Sequence, residues 1–180
     1  MVYRPQQRIF MPSAATVAAV SILDLKAHLR VDHDAEDDVI QGMGLAAEAL
    51  VEQFTQRLLT VRACVLNLPG LPNGLEPVEL PGGEVAALTF VTVDGVALSG
   101  CSIIAPNLLV RSTDWPATVA ENYPASVAYT AGFSAIPTAL RHAVKVIVAD
   151  LYETRSSSGP GSTVPFAATA LMQPWRVIPI

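Results

Sequence analysis

In 180 residues the chain has only two cysteines, Cys64 and Cys101. Each sits in an apolar, strand-like stretch, which excludes a disulfide framework or a cysteine metal knuckle and leaves them as small buried hydrophobes suited to a reducing cytoplasm. Charge is scarce as well: Asp, Glu, Lys and Arg make up 15% of the residues against 51% hydrophobic ones. The surface must therefore carry unusually large neutral and apolar areas, which argues for burial in an oligomer or complex. There is no Lys/Arg cluster and the net charge is -5, so the electrostatic footprint of a phosphate-gripping protein is missing. No bilayer-spanning run exists, because the most apolar helical stretch, Ala139 to Tyr152, is short and carries Arg141, Lys145 and Asp150. Residues Ile9 to Leu23 follow Arg4 and Arg8 as the core of an export signal would, but Pro12, Ser13 and Thr16 interrupt them. There is no fixed-period repeat, and the length fits one domain with a substantial core.

What is present divides the chain into three expected segments. Residues 1–20 contain two prolines and no clean period, and read as an extended arm. Residues 21–173 read as the domain itself. Ser21 with Asp24 caps a short helix, and a second helix follows the acidic run Asp32 to Asp38. The acids Asp32, Asp34 and Asp37 are read as helix-capping groups at the positive end of the macrodipole. A helical stripe of about six turns then runs from Val39/Ile40 through Met43, Ala47, Val51 and Phe54 to Leu58, so helices fill residues 21–59. Gly42 and Gly44 each cost that helix roughly 1 kcal/mol against Ala, and close packing of another backbone is the expected reason. From 61 to 132 the pattern becomes short β-rich runs separated by Pro and Gly, with Asp94-Gly95 as a two-residue hairpin signal. A proline-started helix is expected over 137–156, a Ser/Gly/Pro loop over Ser156 to Pro165, and a short helix over 166–172. Residues 174–180 form an apolar tail.

Candidate chemistry fails on spacing. Asp32, Asp34 and Glu36 match the first positions of a calcium loop, but Asp37 and Met43 stand where Gly and Glu are needed. His28 and His33 have no fixed third ligand, so no metal site is read. His142 with Ser134 or Ser156 to Ser158 lacks a Gly-x-Ser-x-Gly elbow, and Gly82-Gly83 is followed by Glu84, which marks a turn and not a phosphate cradle. No catalytic residue, cofactor or metal is expected. Trp115-Pro116 and Tyr123-Pro124 serve either as a lid on the core or as contact anchors, with the core reading ahead. Trp175 has few sequence neighbours to bury it, and both internal and intermolecular roles stay open.

An ordered series of short motifs carries a family resemblance. It begins with Leu25-Lys26-Ala27-His28-Leu29-Arg30-Val31, the acidic Asp34 to Asp38, Ala46-Ala47-Glu48 with Glu52, and Thr55-Gln56-Arg57-Leu58-Leu59. It continues through Leu80-Pro81-Gly82, Trp115-Pro116, Tyr129-Thr130-Ala131-Gly132, Ile136-Pro137, Leu140-Arg141, Leu151-Tyr152-Glu153-Thr154-Arg155 and Leu171-Met172-Gln173-Pro174-Trp175-Arg176-Val177. In order and spacing the chain resembles the head-to-tail connector (adaptor) proteins of long-tailed phages, prophages and gene transfer agents. It departs from that pattern at Gln56, where glycine is commoner, at Gly42 and Gly44, and in the Pro/Gly-rich stretch Leu68 to Gly83.

The resemblance implies a non-enzymatic virion protein, assembled in the host cytoplasm, that forms a closed ring of about twelve copies beneath the portal. Such a ring extends the DNA channel without sequence readout and docks a tail-completion or stopper protein. No membrane is involved. Met172, Trp175, Arg176, Val177, Ile178 and Ile180 are the expected portal or partner interface, inferred from apolar character and position. The expected fold class is α+β, with a mainly α-helical core of two long helices plus shorter ones and an inserted antiparallel β region. The rival readings are a small-molecule or peptide-binding module using the β region and aromatic loop, and a hydrolase built on His142.

Overall fold

The computed structural model describes residues 2–5, 7–72, 74–104, 106–117, 123–154 and 164–177. The expected Ser156 to Pro165 loop falls largely outside them. The chain divides into two compact units, one of Met1–Thr16 with Val61–Ser134 and one of Val17–Thr60 with Ala135–Ile180.

The first unit is β. Its strands are β1 (Ile9–Pro12), β2 (Arg62–Leu68), β3 (Val78–Glu79), β4 (Val85–Val93), β5 (Val96–Ala97), β6 (Cys101–Ile104), β7 (Leu108–Arg111) and β8 (Ala125–Ala131). They form a five-stranded sheet in the order β1-β2-β8-β4-β5 and a three-stranded sheet in the order β3-β7-β6, with every strand pair antiparallel. The turn between β4 and β5 is Asp94-Gly95, both at positive φ, which is the backbone a two-residue hairpin of matching twist requires. Period-two alternation puts Leu66, Leu68, Val91, Val127 and Tyr129 on one face of the large sheet, where all are buried. The Tyr129 hydroxyl donates to the Pro81 carbonyl at 2.8 Å, so the polar end of this ring is satisfied. Trp115 is also buried, its indole donating to the Glu76 carbonyl at 2.8 Å, which puts this aromatic in the core, whereas Tyr123 is exposed.

The second unit is helical: α1 (Ile22–Leu29), α2 (Asp37–Thr55), α3 (Thr138–Glu153), α4 (Phe166–Met172) and a 3-10 turn at Gln173–Trp175. Ser21 caps α1 by accepting from the Asp24 amide at 3.2 Å. Ile40, Ala47 and Val51 of α2 and Leu140, Val144, Ile147 and Val148 of α3 are buried on the facing stripes. Gly44 explains itself: a Cβ there would stand 2.9 Å from Leu25 Cδ1, so its absence lets α1 lie close on α2. Gly42 does not, because a Cβ there would meet nothing within 4 Å. Gln56 ends α2 at φ 57°, in the left-handed conformation that favours glycine, with its amide donating to Glu52 O.

The expectation of a mainly helical core built on two long helices is overturned. The chain is α+β, but α2 has 19 residues and α3 has 16, moderate lengths, beside eight antiparallel strands in two sheets among the described residues. The reason is the apolar inner face of the five-stranded sheet, which must itself be buried and so builds a second core of equal standing.

Candidate functional site

The C-terminal end of α2 is where three of the sequence-expected interface residues, Trp175, Arg176 and Val177, gather. The segment after α4 returns to this helix end: Arg57 Nε donates to the Trp175 carbonyl at 2.8 Å, and the Val177 amide donates to the Thr55 carbonyl at 3.0 Å. The Arg176 guanidinium lies 5.3 Å above the Phe54 ring, a cation–π contact. Together Leu50, Gln53, Phe54, Gln56, Val164, Arg176 and Val177 line an open groove of about 470 Å³. Met172 is fully buried in the unit's own core, so it anchors α4 and does not face a partner. Ile178 and Ile180 lie outside the described residues. The anchors Thr55 and Arg57 were not singled out as partners of the tail, since nothing local in sequence reveals a contact spanning more than a hundred residues.

The acidic run does something different from end-capping by its side chains. The N-cap position of α2 falls on Glu36, whose side chain makes no cap hydrogen bond. Asp34 and Asp37 instead converge on the Lys26 ammonium, at 2.5 and 2.8 Å, while Asp32 is exposed in the preceding segment. The hydrogen bond from Lys26 holds the Asp34 carboxyl below its usual range, and Asp34 followed by Asp37 pushes the Lys26 ammonium up. Asp37 and Asp38 still occupy the first turn of α2, where carboxylates offset the macrodipole.

Two further carboxylates of α2 bind backbone. The buried Glu48 accepts from the Ala19 and Val20 amides at 2.8 and 3.2 Å, and Glu52 accepts from the Leu59 amide at 2.8 Å. These residues, four apart on one helix, tie down the chain both before α1 and after α2. His142 faces His28, with ring centroids 5.9 Å apart and planes at 83°, and the serines Ser156 to Ser158 lie outside the described residues. Burial, then His142 and Lys145, hold His28 below the usual imidazole range. Among the described residues no three His, Cys, Asp or Glu side chains are grouped to hold a metal, and no helix is long and apolar enough to cross a membrane.

The exposed apolar side chains complete the picture. Ile9, Met11, Phe90, Val96 and Ile104 of the β unit and Val17, Leu23, Val39, Leu45 and Phe166 of the helical unit are all substantially exposed. Sequence reasoning anticipated such area from composition but not its location.

With this α+β arrangement established, its likeness to known proteins can be stated. No protein-family model matches the chain, and no curated protein does. Among solved structures, it is similar to a chain in the neck of an empty gene transfer agent particle computed with C6 symmetry. That match has a TM-score of 0.73 at 24% identity and covers 96% of this chain and 97% of the other. A chain in the virion of a native gene transfer agent particle gives the same values. A chain in the neck of a native particle computed with C12 symmetry gives 0.66 at 23% identity, covering 94% and 97%. The chain therefore has the fold of those proteins over almost its whole length, which is consistent with the connector resemblance carried by its motifs.

Proposed function

We propose that the chain is a structural, non-enzymatic protein of a phage-like particle neck. It forms a cyclic ring between portal and tail, extends the DNA channel and docks the next tail-completion protein. The observation that carries this reading is the fold likeness to neck chains over 96% of this chain and 97% of theirs. Low charge with exposed apolar area supports it, since a ring subunit must bury surface against its neighbours. A net charge of -5 suits a channel that lets a polyanion pass without holding it.

The docked segment Trp175 to Val177, beside the groove at Phe54, together with Ile178 and Ile180, is the proposed portal contact. Electron microscopy of the purified protein, alone and mixed with the portal encoded with it, tests the reading. Closed rings stacked on the portal are expected. A protein that stays monomeric and leaves the portal bare refutes it.

A further inference from the structure

Resting on the ring reading above, we propose which surfaces close the ring: the outer face of the five-stranded sheet of one copy receives the outward face of α2 of the next. An antiparallel sheet with one wet side ordinarily alternates apolar inward and polar outward. Here the register places Ile9, Met11, Val65, Ala128, Phe90 and Thr92 together on the side opposite the buried core. The strand partners on that side add only Ala, Ser, Thr and Asn, so the face carries no charge from β1 to β5. Ile9, Met11 and Phe90 are 41, 47 and 50% exposed.

The outward side of α2 is equally unusual. A surface helix ordinarily turns charged residues to water, and a helix apolar all round belongs in an interior. From Val39 to Ala49 the outward positions are uncharged; Val39 and Leu45 are about half exposed, and Gly42 leaves the helix flat between them. Gly42, which nothing among the described residues explains, then has a reason: it lets a neighbouring surface approach the helix backbone.

The occupant is a second copy because of charge and symmetry together. Neither face offers a group to a charged partner or to DNA. A cyclic ring requires one chain to present two unlike surfaces that fit each other, and a sheet face with a helix face is such a pair. Their sizes agree: the outward uncharged stretch from Val39 to Ala49 is about 16 Å long, and the four spacings of about 4.8 Å between five strands span about 19 Å.

The test uses full-length protein with Phe90→Glu on the sheet or Ala46→Glu on the helix, and Leu75→Glu, on an exposed loop, as control. Thermal melting checks that each variant folds, and Met11→Glu replaces Phe90→Glu if the latter does not. Rings, alone or on the portal, are counted by electron microscopy and native mass spectrometry. The sheet and helix variants should each lower the ring fraction at least about tenfold, and the control should not. Because the contact is head to tail, mixing the two variants should give a one-to-one pair through the remaining good faces. Rings from either variant at wild-type yield, or no pair on mixing, overturn the proposal while the ring reading stands. Wild-type protein that forms no ring even on the portal overturns both.

Discussion

Replacing Gly42 and Gly44 separately by alanine should change stability unequally, although only Met43 separates the two glycines on the same helix. Intrinsic propensity favours both changes by about 1 kcal/mol, because alanine loses less backbone freedom on entering a helix. At Gly42 the new methyl meets nothing within 4 Å, so the full gain should appear. At Gly44 the methyl would press at 2.9 Å on Leu25 Cδ1, the end of a buried side chain between α1 and α2. Pushing Leu25 off its rotamer and overpacking the seam costs about 1–3 kcal/mol, which cancels or outweighs the gain. The variants should therefore differ by about 1–3 kcal/mol, seen in urea midpoints at constant m or as a gap of several degrees in thermal midpoint. Equal stabilisation by both would refute the packing of α1 on Gly44. Gly42→Ala adds a second readout: if α2 faces the next copy, it should raise the stability of the subunit while weakening ring formation.

Three further outcomes are expected. Glu48→Ala should destabilise by about 2–3 kcal/mol because it orphans the buried Ala19 and Val20 amides, and Glu48→Gln by less; urea unfolding measures both. Stability should be flat near neutrality, fall in alkali because burial makes the folded Cys101 and Tyr129 resist a deprotonation that the unfolded chain allows, and fall in acid in two stages. As pH drops below the ordinary imidazole range the unfolded chain takes up a proton at His28 that the folded chain resists; through the carboxylate range the stabilisation from the depressed Asp24 (held down first by Ser21, then Lys145) and Asp34 is lost. His28→Asn should remove the first stage and Lys26→Met part of the second in a melting series against pH. Duplex DNA should bind more weakly than about 10⁻⁴ M at physiological salt, and a micromolar, steeply salt-dependent affinity in fluorescence anisotropy would end the passive-channel reading.

Several local features follow from sequence because their causes lie within a few residues. The hairpin at Asp94-Gly95 needs only a turn that tolerates positive φ. Ser21 with Asp24 needs only one helical turn, and the apolar period of α2 needs only its own residues. Gln56 was legible only as a residue standing where glycine is commoner; that it ends α2 in the left-handed conformation, ahead of the apolar stripe's last member Leu58, came from the structure. The balance between helix and sheet was not legible, because the β unit joins residues 1–16 to 61–134 and the burial of its inner face depends on strands far apart in the chain. The same holds for the surfaces. Composition alone determined that a chain with 15% charged residues must leave neutral and apolar area on its surface. Only the strand register, which sends alternate residues to opposite faces, decided that Ile9, Met11 and Phe90 stand together on the outside. Only the return of Val177 to Thr55 decided that the apolar C-terminal segment docks first on its own helix, since a hydrogen bond between residues that distant exists nowhere but in the folded chain.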